Sequence, residues 1–385
     1  MLAKVETQSK TNDVMDNALF TNTQKQLHIF SISCGRGNTL LNYDLEPRFL
    51  HGNVEKKTPL SKQSSPLIKT IVMNGSERYE IHPATLSFPS PDGKENQDGS
   101  PYMVQYAVYP GTRESLIEDC LILFAQNGEF SIERGEPGYR YDQKTNSLGV
   151  YFTLYQLRRE LKKMSKEYRL SELREGLDVL ALSKYRYINE EDRTRTRGYI
   201  VSELDSMPNR HPTDQIRSDR INFVLFDQRA SQRILEGHYR SYDAQCALSM
   251  KSPIARFLYK QFTHYWQQAN KKQQTGHYRI VEQNETILAS GCPLLSNVTK
   301  RKNNILKALE ELYEVGIIEK FIPSRDLVKI KEGRRTVDNH FMVSPTNRFI
   351  KQQIEGFKQL RETREFGRLI NVDMQSKKMQ ASGVY

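Results

Sequence analysis

The chain has 385 residues with 57 Lys and Arg against 46 Asp and Glu, a formal net charge of +11. At roughly 100–200 residues per domain this is a two-domain length, with three as the alternative. Its 20 Tyr and 16 Phe are too many for a disordered polar chain. No run approaches the ~18 uncharged apolar residues of a membrane span, and MLAKVETQSKTND lacks the apolar core of a secretory leader. Cys34, Cys120, Cys246 and Cys292 stand 86, 126 and 46 residues apart. That spacing excludes a disulfide scaffold or a small zinc module and reads as scattered reduced thiols of a cytosolic protein.

Residues 1–70 are patchy. Leu27 to Phe30 is a short apolar run, and Asn53–Ser65 reads as a linker or flexible arm. Order is expected from near Ile71, with a strand at Arg78–His82, and Ser87–Pro101 is loop by composition. Thr112 can cap a helix to about Gln126, with Leu116, Cys120, Leu123 and Phe124 at helical spacing. Gly149–Thr153 reads as a strand entering a helix with Leu154, Leu157, Leu161 and Met164 on one side. Arg158, Arg159, Lys162 and Lys163 lie on the other. After a short turn, Ser171 can cap a helix striped by Leu173, Leu177 and Leu180, with Glu172, Arg174, Glu175 and Asp178 facing water. Tyr185–Ile188 and Gly198–Ser202 then read as strands joined by the charged loop NEEDRTRTR. Helix, strand, helix, turn, helix, strand, loop, strand is the order of a winged helix-turn-helix, whose helix after the turn enters a major groove. Asp205–Ser218 is a further loop and Asn222–Asp227 a buried strand.

The order then repeats. Ser252 caps a helix from Pro253 to about Gln268, striped by Ile254, Phe257, Leu258, Phe262, Tyr265 and Trp266, which are most simply core. A strand (His277–Val281), a short helix (Glu285–Ser290), a turn and a helix from about Thr299 to Val315 follow, with Gly316 where a helix end favours glycine. Gly316–Phe321 and Asn339–Val343 read as hairpin strands around the basic loop SRDLVKIKEGRRT. The expected fold is α+β: tandem winged helix-turn-helix domains at 71–240 and 241–350, a loop-rich and poorly ordered N-terminal region at 1–70, and a helical basic C-terminal tail at 351–385.

Residues 251–385 hold 24 Lys and Arg against 13 Asp and Glu, so the whole excess of +11 lies after residue 250. That points to a polyanionic partner for the last third, with an acidic protein or a membrane surface as alternatives. The helix at 299–315 carries Lys300, Arg301 and Lys302 in its first turn and Glu310, Glu311 and Glu314 in its last turns. The helix dipole favours the opposite order by roughly 0.3–1 kcal/mol per charge. This cost is explained if Thr299, Lys300, Arg301, Lys302, Asn303, Asn304 and Lys307 meet DNA, the bases neutralising phosphates or reading guanine and an asparagine reading adenine. The alternative is a solvated charged face. Lys329, Lys331, Arg334 and Arg335 would form a wing touching phosphate or minor groove. In the first domain the reading helix is nearly neutral. Arg193, Arg195 and Arg197, at a period of two, would share one side of a strand and make a secondary DNA or dimer contact.

Catalytic readings fare poorly. There is no G-x-x-x-x-G-K-[ST] phosphate loop, and the glycines at 35 and 37 lack the third of a dinucleotide site. No His-x-His accompanies any of the tyrosines, and Asp326 near Lys329 or Lys331 is a weak nuclease pattern. No cofactor, no metal and no enzymatic activity are expected.

Five stretches in order resemble the replication initiator (Rep) proteins of bacterial plasmids and plasmid-like phages: AVYPGTRESLIEDCL (107–121), GVYFTLYQLRREL (149–161), LSELREGLDVLALSK (170–184), MKSPIARFLYKQFTHYW (250–266) and KRKNNILKALEELYEVGII (300–318). With the elements between them they cover about 71–350. The resemblance implies a non-enzymatic cytoplasmic initiator with two winged-helix domains that binds repeated sites in double-stranded origin DNA. It also implies help in opening the duplex, recruitment of the host replication initiator and replicative helicase, and exchange between monomer and homodimer. It places the second reading helix at 300–318, while the acids of 171–182 put equal participation of the first domain in doubt. A winged-helix repressor or partition protein, or an origin-nicking nuclease, are the other functions the residues allow.

Overall fold

The computed structural model describes residues 36–40, 46–52, 57–62, 68–73, 77–126, 136–142, 147–163, 165–188, 194–198, 200–201, 207–208, 220–227, 230–231, 239–266, 278–356 and 358. They form an α+β fold of small antiparallel sheets and two helix-turn-helix modules, each with its own apolar core.

Ahead of the first module, β1 (Arg36–Leu40) pairs with β14 (Tyr239–Asp243). β2 (Lys57–Pro59) joins β5 (Ala84–Pro89) and β6 (Met103–Val108) in the order β2-β6-β5. The stretch expected as a linker at 53–65 therefore holds a strand. Lys57 pins it, sitting over the Phe88 ring at 3.9 Å and pairing with Glu175 at 2.8 Å. Residues 46–52, expected among poorly ordered residues, are also built in, with Arg48, Phe49 and His51 buried. Leu27 to Phe30 lies outside the described residues.

α1 (Thr112–Gln126) starts where Gly111 N–H donates to Glu114 Oε2 at 2.8 Å, and it buries Leu116, Ile117, Cys120, Leu121 and Phe124. β7 (Gly138–Asp142) and β8 (Ser147–Thr153) follow; β8 runs into α2 (Leu154–Lys163). There Leu154, Leu157 and Leu161 point inward, and Arg158, Arg159, Lys162 and Lys163 outward, as the 3.6-residue period requires. α3 (Leu170–Leu182) begins just ahead of the expected Ser171 cap. The backbone N–H of Arg169 donates to Glu172 Oε2 at 2.7 Å, which satisfies one of the free groups of the first turn.

β3 (Lys69–Met73), β4 (Glu77–His82), β9 (Lys184–Ile188) and β10 (Thr194–Gly198) form one sheet in the order β10-β9-β4-β3. The second hairpin strand of this module is thus Thr194–Gly198 rather than Gly198–Ser202. It begins inside the stretch expected as a charged loop. β11 (Ile200–Val201) and β12 (Met207–Pro208) both pair with β13 (Arg220–Phe226), which pairs in turn with β8.

The second module runs through α4 (Ala244–Ser249), α5 (Pro253–Tyr265), β15 (Arg279–Glu282), α6 (Gln283–Ala289), α7 (Val298–Glu314), α8 (Pro323–Asp326), β16 (Leu327–Glu332) and β17 (Arg335–Val343). Ser252 caps α5 by accepting from Ala255 N–H at 3.3 Å. Gly316 ends α7 at φ +76°, a left-handed turn in which a side chain would be strained. In the sheet, ordered β15-β17-β16, α6 and α7 pack against β17, and with α5 they share a core around Phe262, Ile305, Leu309, Leu312 and Phe341. The wing strands are therefore Leu327–Glu332 and Arg335–Val343, with Gly333 and Arg334 at the tip. Of the strand expected at Gly316–Phe321, only a bridge from Ile318 to Pro345 exists. Residues 347–356 are helical and seat Phe349 in the core; the rest of the expected basic tail, except residue 358, lies outside the described residues.

Candidate nucleic-acid interface

α7 is positioned by its cap and its stripe. Asn297 accepts from Lys300 N–H at 3.1 Å, and Ile305, Ala308, Leu309 and Leu312 bury one face. On the outward face Thr299, Lys300, Asn303 and Lys307 are exposed, while Lys302 and Asn304 are half-buried. The turn before it, Pro293 to Asn297, is exposed throughout.

Arg301 departs from the expectation. It is only 8% exposed, and its Nη1 donates to Asn284 Oδ1 of α6 at 2.7 Å. Asn284 in turn donates through its backbone N–H to Asp338 Oδ1 at 3.2 Å and through Nδ2 to the Val337 carbonyl at 3.3 Å. Asn339 Nδ2 donates to Gln283 Oε1 at 2.8 Å. This network ties the reading helix, the helix before it and the base of the wing into one unit. Burial pushes the Asp338 carboxyl up, against its hydrogen bonds from backbone amides and the neighbouring Arg301 charge. Arg301 therefore orients the surface instead of forming part of it.

The acidic end of α7 has a local cause as well. Glu311 accepts from the backbone N–H groups of Lys251 and Ser252, the latter at 3.0 Å, at the start of α5. A carboxylate there interacts favourably with the α5 dipole. The reversed charge order of α7 thus rests on Lys300, Lys302, Lys307, Glu310 and Glu314, because Arg301 and Glu311 serve intramolecular contacts.

The wing supplies the second half of the surface. Lys329, Lys331, Arg334 and Arg335 are all exposed, on strands and a tip that the Arg301 network anchors to α7. The register shifts between Ile330 and Lys331, so the basic tip bends relative to the strand below it. Asp326, the residue of the nuclease reading, is tied to its own helix end. It is buried, accepts from Ile322 N–H at 2.9 Å and pairs with Arg325 at 2.6 Å, and the Arg325 contact holds its carboxyl below the usual range. Among the described residues no cluster of three His, Cys, Asp or Glu side chains could hold a metal ion.

In the first module, Arg193 lies outside the described residues. Arg195 and Arg197 occupy β10, in register with Tyr187 and Tyr185 of β9. Glu175 of α3, expected to face water, pairs with Arg113 at 3.0 Å and with Lys57. The outward positive face here belongs to α2 (Arg158, Arg159, Lys162 and Lys163), which sequence reasoning noted but did not place in the interface. Their recurrence along one helix side was the available signal.

Fold and site together define a tandem winged helix-turn-helix protein with a cationic face on its second module. No protein-family model matches the chain, and no curated protein matches it. Among the solved structures similar to it are two of RctB domains. One is the crystal structure of RctB domains 2-3 (RctB-155-483), with 9% identity, TM-score 0.36, and coverage of 78% of this chain and 97% of that one. The other, of SeMet derivatives of domain 2 and domain 3 of RctB, has 11% identity, TM-score 0.37, and coverage of 75% and 94%. At these scores the likeness is remote. Among the described residues no helix is long and apolar enough to cross a membrane.

Proposed function

We propose that the chain is a plasmid-type replication initiator that binds repeated sites in duplex origin DNA through its second module. The observation that carries this reading is the exposure of Thr299, Lys300, Asn303 and Lys307 on α7 and of Lys329, Lys331, Arg334 and Arg335 on the wing that the Arg301 network ties to it. A helix of this kind fits a major groove, and a basic hairpin beside it fits the flanking backbone or minor groove. Each phosphate neutralised contributes about −0.9 to the slope of log affinity against log salt. The five family-like stretches named above support the initiator assignment over other DNA-binding roles. In this reading the protein works without catalysis in the bacterial cytoplasm. It deforms the duplex, recruits the host initiator and replicative helicase, and exchanges between monomer and homodimer. The buried, arginine-paired Asp326 supports the non-enzymatic reading.

Footprinting on DNA flanking the gene tests the proposal. Tandem protected repeats of about two helical turns each are expected. One isolated operator would favour a repressor or partition protein, and metal-dependent nicking of supercoiled DNA would favour a nuclease. Absence of any protection would end the DNA-binding reading.

A further inference from the structure

Residues 46–52 lie between the two modules and touch both. Arg48 makes a two-pronged ion pair with Glu118 of α1, both contacts at 2.9 Å, with side chains only 3% and 2% exposed. Phe49 enters the core of the first module, and Leu50 N–H donates to the Pro110 carbonyl at 2.9 Å. His51 bridges outward: its Nδ1 lies 2.9 Å from Thr112 Oγ1, and its N–H donates to the Gly291 carbonyl at 2.8 Å. Gly291 belongs to the turn between α6 and α7. It sits at φ +73°, and a Cβ there would fall 1.7 Å from the Phe49 carbonyl oxygen. The turn that launches the reading helix is therefore seated directly on the strap.

A second contact reinforces the first. Lys260 of α5 pairs with Asp119 of α1 at 2.6 Å, both nearly buried. The strap, α1, α5 and the end of α6 line a half-open cleft of about 50 Å³ with the buried Arg256 in its wall. Between the modules, then, stand a nearly buried Lys260–Asp119 ion pair and the His51–Gly291 backbone hydrogen bond, where a flexible linker would leave solvated polar surface.

We infer that Arg48 to His51 act as a positioning strap that fixes the two modules at one orientation, so that the protein recognises two DNA segments at one spacing and one helical phase. The inference rests on the DNA-binding reading above and adds to it a contact by the first module. Inserting half a turn of duplex, about five base pairs, carries the second segment to the opposite face of the helix. A rigid pair of modules then loses the gain from simultaneous engagement, whereas a loosely tethered pair keeps much of it.

The experiment uses the full chain and a duplex selected by the wild-type protein from a random-sequence library, footprinted and then rebuilt with insertions between its two protected blocks. The wild type should lose about 100-fold in affinity on a half-turn insertion. Gly291→Ala, which displaces the Phe49 carbonyl, and Phe49→Ala, which empties the strap's anchor without adding bulk, should each lose less than about tenfold. Circular dichroism and unfolding traces confirm that both modules persist in the variants. Indifference of the wild type to spacing, a single protected block, or wild-type spacing dependence in both folded variants would overturn the strap. So would collapse of both modules in both variants, because the segment would then be ordinary core. Failure of the wild type to select any duplex would instead defeat the DNA-binding reading itself.

Discussion

Arg301 is the residue on which sequence and structure disagree most usefully, and substitution separates the two roles. In Arg301→Ala the 2.7 Å charge-assisted hydrogen bond to Asn284 is lost from a site only 8% exposed. Hydrogen bonds to charged groups contribute about 1.5–3 kcal/mol. The arginine Nε has no partner in its buried position, which places the expected loss toward the lower end. The folding equilibrium constant should therefore fall by about tenfold or somewhat more, since 1.36 kcal/mol is one power of ten. Trp266 gives a direct readout: it is the chain's single tryptophan and lies in the core of the second module, stacked on Phe262. Urea unfolding followed by its fluorescence should show a lower midpoint for Arg301→Ala. Asn284→Ala should show a similar shift, and the double variant less than their sum. DNA affinity measured against salt should keep its slope in Arg301→Ala, because no phosphate contact is lost. Lys300→Ala should leave the unfolding free energy within about 0.5 kcal/mol of the wild type and reduce the slope by about 0.9. A wild-type midpoint in Arg301→Ala, together with relaxed base preference, would refute the orienting role and restore the arginine as a reader.

Further outcomes follow from the same geometry. Arg334→Ala with Arg335→Ala should reduce the salt slope by about 1 to 2 and leave Trp266 unfolding unchanged, as checked by binding titrations at several salt concentrations. Lys260→Met leaves Asp119 charged and buried, at a cost of about 3–5 kcal/mol, measurable by thermal unfolding; a shift below 1 kcal/mol would mean that the pair is solvated. Glu311→Gln should lower stability by about 0.3–1 kcal/mol through the weakened start of α5, whereas Glu310→Gln, fully on the surface, should not. Burial, with help from the Arg256 charge, holds His51 down to about 3 from an ordinary 6.5, so the folded chain keeps it neutral. Its contribution to stability is therefore complete above pH 6.5 and lost as pH falls toward 3. His51→Gln should remove up to about 1.36 kcal/mol per pH unit from the acid-side slope of stability, read from urea unfolding across that range.

The helices were legible because their signals are local. The Ser252–Pro253 pair, the Leu154–Leu157–Leu161 stripe and Gly316 each state a start, a face or an end within one or two turns. The hairpins were less so. Leu327–Glu332 has only Leu327 and Ile330 partly covered, and Thr194–Gly198 alternates Thr and Arg, so their charge suggested loop where strand pairing prevails. Pairing partners outside the local window decide such segments. Burial of Arg301 could have been found: it stands four residues before Ile305 and eight before Leu309, on the same side of the helix. A run of three basic residues hid that periodicity. Arg48 and His51 could not have been found, since what makes their burial tolerable is Glu118, Thr112 and the Gly291 carbonyl, far along the chain.

The seating of His51 on Gly291 also sets a timetable for synthesis. The strap leaves the ribosome first, yet its second anchor is made 240 residues later. At synthesis rates of about 5–20 residues per second that gap is roughly 10–50 s. For that interval the first module can fold around Phe49 while one side of the strap waits uncovered. A nascent chain stalled before Gly291 should therefore expose residues 50–52 to protease, and release of the completed second module should close them off.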